Sequence, residues 1–410
     1  MELKEGYKQT EIGIIPSDWE VKTVNELIDL LTDFDANGSF SSVAENVNVF
    51  DYQHFAWYVR STDLENNTNI TNVRYVDEPS YNFLKKTALY GGELLFLKRG
   101  DIGRIYLFEA KTKYATVAPN LYLLKLNKTI NSKFLFYFFN TNIGQLQLKS
   151  KNASSTLGAL YKDDVKSILV ATPTLKEQTA IATALSDTDA WINSLEQLLA
   201  KKRQIKQGAM QELLQSKEGW EVKKLGDLIT YKNGKSFESE IVENGNYLLI
   251  TLNSINIKGK LKSEHLKINT FDNSLEKGDL IMVLSDVAHG NFLGLTDIIP
   301  KDNKYVLNQR MGALKNLKGV TSEYLSYYIN KNQKYFKMAG KGSSQQNLGK
   351  DDILNFQINL PKTKEEQTRI ATILSDMDEE IAQLENKLEK AKQIKQGMMQ
   401  ELLTGRIRLF

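Results

Sequence analysis

The chain has 410 residues, of which 25% are charged and 41% hydrophobic, and its formal net charge is +3. It contains no cysteine, which excludes disulfides and thiolate metal sites, and its three histidines lack the spacing of a metal-binding pair, so we expect no metal. The N-terminus has no apolar signal segment, and no stretch approaches the roughly 18 apolar residues of a membrane span. We therefore expect a cytoplasmic protein that contacts no membrane.

Residues 1–175 are predicted to form a globular α+β domain, here called the first body. A Trp-Glu-Val-Lys turn at Trp19 leads into an apolar helix, and short strand-like runs broken by glycine and asparagine follow. Arginine and lysine beside glycines suit close approach of phosphates, although a plain hairpin or surface strand explains the same residues. The candidate DNA contacts in this body are Arg60, Lys98, Arg99, Arg104, Asn120, Lys151, Asn152, Ser154 and Ser155.

Residues 176–215 are predicted to form one long helix of about 57 Å at about 1.5 Å per residue. The segment has no proline, and its apolar residues recur at alternating steps of three and four, which predicts a heptad seam. The seam residues are Ile181, Leu185, Ile192, Leu195 and Leu199.

Residues 216–363 repeat the plan of the first body and form the second body. This part is the more basic one, since residues 217–364 carry 22 basic and 16 acidic side chains. Such an excess is consistent with nucleic-acid binding and equally with a soluble lysine-rich surface. Gln and Asn are the side chains that read adenine. The candidate DNA contacts here are His289, Asn291, Asn308, Gln309, Arg310, Lys341, Ser343, Ser344, Gln345 and Gln346.

Residues 364–410 are predicted to form a second long helix that repeats the first. Positions 366–403 match positions 177–214 in register, with 25 of 38 residues identical. Like repeats related by a two-fold axis across their helices would pair antiparallel, as a coiled coil. The alternative is that each helix packs on its own body. The second seam consists of Ile370, Leu374, Ile381, Leu384 and Leu388.

Motifs for catalysis are missing from the sequence. It lacks the phosphate-binding Gly-x-x-x-x-Gly-Lys-Ser/Thr loop, the Gly-x-Ser-x-Gly elbow and the His-Glu-x-x-His metal motif. No two prolines are adjacent, which excludes the Asp/Asn-Pro-Pro-aromatic motif of amino-methyltransferases. We expect a non-catalytic subunit that has no catalytic residue and binds no cofactor.

The whole chain resembles the DNA-specificity subunit of a Type I restriction-modification system. The resemblance lies in the opening YKQTEIGIIPSDWEV, in a proline separated by three or four residues from Glu-Gln at the entry to each long helix, in the IKQGxMQELL helix ends and in the closing LLTGRIRL. One departure is an extra residue between Pro361 and Glu366-Gln367, compared with Pro173 and Glu177-Gln178. It shifts the junction between body and helix by one position.

The resemblance implies that each body is a target recognition domain reading one half of a bipartite asymmetric DNA site. The two helices would set the spacer and dock two adenine-N6 methyltransferase subunits, and through them motor-nuclease subunits that cleave foreign DNA. S-adenosylmethionine, ATP and Mg²⁺ are expected on those partners. Two alternatives stay open: a coiled-coil scaffold that binds proteins without DNA specificity, and a fused restriction enzyme, which would need a motif that the sequence lacks.

Overall fold

The computed structural model describes residues 5–65, 70, 72–151, 158–287, 290–342 and 345–409. The chain divides into two compact units, the first made of residues 1–196 with 387–410 and the second of residues 197–386. Each unit thus combines one body with parts of both long helices. None of the helices in the described ranges is long and apolar enough to cross a membrane.

The first body is built on two sheets of short strands. Its four-stranded sheet is antiparallel throughout, in the order Ile105–Leu107, Leu94–Leu97, Leu121–Leu126, Ile28–Asp33. Its five-stranded sheet has the order Val49–Phe50, Arg74–Val76, Ala56–Val59, Ala115–Val117, Ala88–Leu89. Only its third and fourth strands run parallel. Two-stranded ribbons join Tyr7–Thr10 to Gly13–Pro16 and Glu20–Thr23 to Leu169–Thr172.

The helices of the first body close its core against the long helices. They are Val24–Leu27, Phe40–Asn46, Ser61–Glu65, Glu78–Phe83, Ser132–Phe139, Asn142–Ser150 and Lys162–Lys166, and Phe34–Asn37 and Lys85–Thr87 are 3₁₀ turns. Asn131 caps the apolar Ser132–Phe139 helix by accepting from the Phe134 amide. This helix packs with Trp19, Ile181 and Leu402 in one cluster of buried residues.

The second body repeats this topology with different residues. Its four-stranded antiparallel sheet has the order Thr230–Asn233, Met311–Lys315, Leu280–Val283, Thr296–Ile298. Leu266–Ile268, Tyr247–Ile250 and Tyr305–Leu307 form a second sheet, in which the last two strands are parallel. Glu221–Lys224 pairs with Gln357–Leu360, and Ser285–Asp286 with Gln346–Asn347. The helices are Leu225–Leu228, Ser322–Lys331, Gln333–Ala339 and Lys350–Leu354, and Glu238–Glu240 and Leu252–Ser254 are 3₁₀ turns.

The two long helices span Leu175–Leu213, the central helix, and Lys364–Leu402, the C-terminal helix. In the first unit, Asp189 pairs with Lys395 at 2.6 Å and Glu196 with Lys392 at 2.7 Å. Residue numbers thus rise along one helix as they fall along the other. The second unit shows the same order in the pairs Lys202 with Glu380 and Lys206 with Asp378. The predicted antiparallel pairing of the two helices is confirmed.

Each long helix also packs on its own body. Ile181 and Leu185 belong to the first body's core, and Ile370 and Leu374 belong to the second body's core. Part of each apolar stripe therefore packs on the helix's own body, and another part faces the other long helix. The remaining seam residues Ile192, Leu195, Leu199 and Ile381 are buried, whereas Leu384 and Leu388 are half-buried.

The Glu-Gln pair near the start of each long helix ties that helix to its body. Gln178 accepts from the Asn131 amide at 2.8 Å, and its amide group donates to the Pro173 carbonyl at 2.9 Å. Gln367 makes the equivalent contacts in the second unit, where it accepts from Thr321 and donates to Gly319 and Pro361. The neighbouring glutamates accept from the Trp indoles that open each body, in the pairs Glu177 with Trp19 and Glu366 with Trp220.

The chain end adds a clasp to the first unit. Arg408 pairs with Glu177 at 2.6 Å and with Asp18 at 2.8 Å, and its guanidinium lies over the Trp19 ring. Its neighbours on the chain also contact the first body, because Tyr7 donates to the Gly405 carbonyl at 3.0 Å. The closing sequence of the chain is therefore part of the first unit's structure.

Candidate nucleic-acid interface

Three separate loops meet at one edge of the first body. The Lys98 amide donates to the Asn120 carbonyl at 2.9 Å, and the Leu160 amide donates to the Lys98 carbonyl at 3.0 Å. Gly100 and Gly158 are joined in the same way at 3.0 Å. We call residues 98–104, 118–120 and 158–160 the loop edge of the first body. Among the residues predicted as DNA contacts in this body, Lys98, Arg99, Arg104 and Asn120 lie in it.

The second body builds the same edge with the same backbone bonds. The Leu284 amide donates to the Arg310 carbonyl at 2.9 Å, as Lys98 does to Asn120. The Leu348 amide then donates to the Leu284 carbonyl at 2.8 Å, as Leu160 does to Lys98. The loop edge of the second body consists of residues 284–287, 290–292, 308–310, 341–342 and 345–348. Two bodies with little sequence in common thus present equivalent loops.

Ion pairs of Lys98 stabilise the loop edge of the first body. Its ammonium pairs with Asp33 at 2.9 Å and with Asp35 at 2.7 Å, and Asp33 also pairs with Lys162 at 2.9 Å. Burial disfavours the charged Asp33 carboxylate, but the two lysines hold its pKa below the usual value. The same carboxylates raise the pKa of Lys98 against the opposing effect of burial. The structure thus gives Lys98 a supporting role.

The other cationic side chains predicted as DNA contacts in the first body differ in whether they form ion pairs. Arg60 pairs with the buried Asp63 at 2.7 Å, and Arg104 pairs with Asp101 at 2.7 Å. Arg99 is exposed and forms no ion pair with any described residue. Lys151, at the end of a helix, is half-buried and likewise forms none within the described ranges. Arg99 is therefore the candidate most available to an external phosphate or base.

Asn120 and Arg310 occupy matching turns with unusual backbones. Their φ angles are 76° and 71°, in the left-handed region that costs a side-chain-bearing residue about 1 kcal/mol or more. Asn120 Nδ2 donates to the Arg99 carbonyl at 3.3 Å, which ties the turn to the neighbouring loop. The Arg310 side chain is exposed and forms no ion pair in the described part of the chain.

Asn308 and Gln309 hold the second turn in place. The buried Asn308 accepts from the Phe237 amide at 3.1 Å and donates to Glu238 at 3.3 Å, and Gln309 also donates to Glu238. The hydrogen bond from Gln309 is the main cause that lowers the pKa of Glu238, and the bond from Asn308 adds to it. The structure thus gives Asn308 an internal role, and the side chains of this turn differ in their availability.

Of the remaining candidates of the second body, Asn291, Lys341, Gln345 and Gln346 lie in the same edge. Lys341 is largely exposed and lies 3.9 Å from Asp352. Gln345 donates to Asn347 at 3.0 Å, the half-buried Gln346 belongs to a two-residue strand, and Asn291 accepts from Lys337 at 2.9 Å. Asn152, Ser154, Ser155, His289, Ser343 and Ser344 lie outside the described residues. As DNA contacts, all these residues remain predictions.

Sequence reasoning missed the part played by Gly234 and Glu238. A Cβ on Gly234 would lie 1.9 Å from the Asn308 carbonyl oxygen, so only glycine permits this close approach. Gly234 follows Asn233 at the end of a strand. Its Asn-Gly pair was the available signal for a tight turn. Among the described residues, no group of three His, Cys, Asp or Glu could hold a metal ion.

The chain was compared with known proteins and structures. The family model described as "Type I restriction modification DNA specificity domain" matches residues 16–207 and 217–396, one match for each body with its helix. The Type I restriction enzyme MjaVIII specificity subunit of Methanocaldococcus jannaschii is 24% identical over 436 residues, covering 99% of this chain and 97% of that protein.

Two solved structures share the fold. The S subunit of a Type I restriction-modification system from M. genitalium aligns with a TM-score of 0.58 at 16% identity, over 98% of both chains. A chain from a structural study of complex assembly and conformational transition of the type I R-M system aligns with a TM-score of 0.56 at 16% identity, over 96% of this chain and 99% of that one. The two family matches cover both halves of the sequence, so the chain belongs to the Type I restriction-modification DNA specificity family.

Proposed function

We propose that this chain reads a bipartite asymmetric DNA site, one half with each body, as the non-catalytic specificity subunit of a Type I restriction-modification complex. The observation that carries the proposal is the pair of loop edges. Equivalent backbone bonds build them, yet the side chains they present differ, with Asn120 in one turn and Arg310 in the other. A shared frame with different side chains suits two different base sequences.

The second part of the proposal is that the long helices dock methyltransferase subunits. Comparing the two helices position by position shows which exposed residues are the same in both. From residue 190 to 200, the buried Ile192, Leu195 and Leu199 are identical in the C-terminal helix. The exposed residues there have all changed, except Glu196. Glu196 pairs with Lys392, and its counterpart Glu385 pairs with Arg203. In this part of the helix, the residues that are identical in the two helices are those that make internal contacts.

From residue 201 to 211 the pattern is different. Six exposed positions are identical in both helices, and we call them the retained face: Lys201, Gln204, Ile205, Gln207, Gly208 and Gln211, with Lys390, Gln393, Ile394, Gln396, Gly397 and Gln400. Internal packing does not account for them, since Ile205 is 46% exposed and Ile394 is 50% exposed. A Cβ on either glycine would meet nothing within 4 Å. Most of these positions share one side of a helix, at spacings of three and four.

A surface that stays identical although it is exposed is consistent with an external partner, and two such surfaces are consistent with two copies of that partner. We assign these copies to adenine-N6 methyltransferase subunits, which would carry S-adenosylmethionine. Motor-nuclease subunits, with ATP and Mg²⁺, would join through them. The antiparallel ion pairs, such as Asp189 with Lys395, would fix the register of the helices and so the spacer between the half-sites.

The first test is the methylome. The full chain is co-expressed with its methyltransferase partner in a host that lacks adenine methylation, and N6-methyladenine is mapped by single-molecule sequencing. Two short words around a fixed gap are expected. Methylation absent from a complex that has formed, together with DNA retention that does not fall with salt, would instead support a protein scaffold.

Docking has its own test, with a matched control. The Lys390→Glu variant reverses a charge on the retained face, and the Lys387→Glu variant reverses one at an exposed position that differs between the helices. We expect only Lys390→Glu to weaken assembly with the methyltransferase, measured by size-exclusion chromatography with light scattering. Equal behaviour of the two variants would contradict this assignment of the face.

A further inference from the structure

The loop that follows the Thr230–Asn233 strand forms backbone hydrogen bonds on both sides of the turn at Asn308–Arg310. The Gln309 amide donates to the Lys235 carbonyl at 2.6 Å, and the Lys235 amide donates to the Leu307 carbonyl at 3.3 Å. The Gly234 amide donates to the Met311 carbonyl at 3.0 Å. These bonds sit on both flanks of Arg310. They hold a backbone conformation that a free arginine would rarely adopt.

The Arg310 guanidinium lies on this turn, and none of its five N–H donors bonds to another described residue. It is exposed, and no described carboxylate lies within ion-pair distance of it. Lys235, whose carbonyl accepts from the Gln309 amide, pairs with Asp272 at 2.9 Å, and the largely exposed Lys341 lies 3.9 Å from Asp352. A fixed backbone with a free guanidinium lowers the entropy lost when the side chain binds in one geometry. Such a group is prepared for a specific planar partner.

The surroundings of Arg310 disfavour a phosphate as that partner. The turn lines a cleft of about 210 Å³ together with Glu238. Glu238 accepts from Ser236, Asn308 and Gln309, and these bonds favour its charged form. A phosphate in this cleft would be repelled by the carboxylate. A base edge carries no such charge, so the cleft suits the groove edge of a base pair better than the backbone of DNA.

We infer that Arg310 reads guanine of a G·C pair in the half-site bound by the second body. In the major groove guanine presents two acceptors, O6 and N7, which match the parallel donors of a guanidinium. Adenine presents one acceptor and one donor there, which a guanidinium cannot match with two donors. Glu238 acts as a positioning residue, because it holds Gln309 and keeps phosphate away. The inference rests on the proposed function and adds one predicted base to it.

The test compares methylomes of the full complex carrying wild-type chain, Arg310→Ala or Arg310→Asn. Asparagine accepts the left-handed backbone, as Asn120 does in the matching turn, so this variant keeps the fold. Lys301→Ala is the control, because it removes an exposed positive charge from the same body. We expect both Arg310 variants to lose preference at one G·C position of one word by about 5- to 150-fold. The other word, the gap and the control should be unchanged.

Three results would overturn the inference while leaving the proposed function in place. The first is a split site in which the half read by the second body has no G·C pair. The second is a uniform loss of methylation with both half-sites unchanged, as a phosphate contact would give. The third is an unchanged base preference in both Arg310 variants. Exchange of the second body between two such chains identifies which word belongs to it. A wild-type complex that methylates no split site would remove the proposed function and the inference together.

Discussion

Gln367 is the residue through which the structure makes its sharpest stability prediction. It is fully buried where the C-terminal helix meets the second body. Its carbonyl accepts from the Thr321 amide at 2.9 Å, and its amide group donates to the carbonyls of Gly319 at 3.0 Å and Pro361 at 3.1 Å. The Gln367→Ala substitution removes all three bonds. It leaves one backbone donor and two backbone acceptors without their partner.

The expected cost follows from these three bonds. A typical intramolecular hydrogen bond contributes about 1 kcal/mol net, and a buried group left without a partner costs about 1–3 kcal/mol. Water entering the space left by the side chain would satisfy some of the three groups. We therefore expect Gln367→Ala to destabilise the second unit by about 3 kcal/mol. The Gln178→Ala variant should have a similar effect on the first unit, because its contacts are the same.

The assay is urea unfolding followed by circular dichroism, with hydrogen exchange of the peptide that contains Thr321. The control is Gln393→Ala, since Gln393 is exposed and makes one hydrogen bond, to Glu389 at 3.1 Å. This control should change stability by less than about 0.5 kcal/mol. If Gln367→Ala cost no more than the control, or left exchange at Thr321 unchanged, the assignment of Gln367 as the tie between helix and body would be wrong.

Three further predictions concern the first unit and the helix ends. Burial raises the pKa of Tyr137 to about 12, and unfolded tyrosine ionises near pH 10, so stability should be lost as pH rises from about 10 to 12. Melting temperature against pH should fall less steeply over that range in Tyr137→Phe, and an identical slope would contradict this. Arg408→Ala leaves the buried Glu177 without its ion pair. The free energy of unfolding of the first unit, measured in urea, should therefore fall by about 3 kcal/mol. A fall below about 1 kcal/mol would show that the Arg408 contacts are dispensable. Gly208→Ala and Gly397→Ala should stabilise the isolated chain by about 0.5–1 kcal/mol each, yet weaken methyltransferase binding by calorimetry, and unchanged binding would argue against a close partner there.

The long helices were the part of the fold most open to prediction. Their periodicity predicted both helices, because an apolar stripe is a local property of the sequence, and their repeat predicted the antiparallel pairing. The central helix was predicted to residue 215 and ends at Leu213, whereas the second helix was predicted to residue 410 and ends at Leu402. The first turns of each stripe were less clear. Ile181 and Ile370 fit a helical seam by spacing, and the structure places them in the cores of the bodies. Spacing records that a side chain is buried, but it does not record which surface buries it.

Within the bodies, the sequence predicted loops but not the bonds that join them. Of the described candidates, Lys98, Arg99, Arg104 and Asn120 lie at one edge of the first body, and Asn308, Gln309, Arg310 and Lys341 lie at the equivalent edge of the second body. As DNA contacts they stay predictions. The roles of single residues within the edge depend on partners far along the chain. Asn308 bonds to Phe237, 71 residues away, and Lys98 pairs with Asp33, 65 residues away. Polar residues that support a loop and polar residues that face outward have the same composition, so composition could not separate them.

The comparison of the two bodies separates these classes better than either body alone. A position is a candidate for recognition when it makes the same backbone bond in both bodies, carries a different side chain in each, and leaves that side chain exposed and without an internal partner among the described residues. Arg310 meets this condition, whereas the matching Asn120 makes the same backbone bond but also donates from its side chain to the Arg99 carbonyl. Asn308 does not, because its side chain is spent on bracing its own turn. Internal symmetry therefore ranks Arg310 above its neighbours as a reader of sequence, independently of its charge.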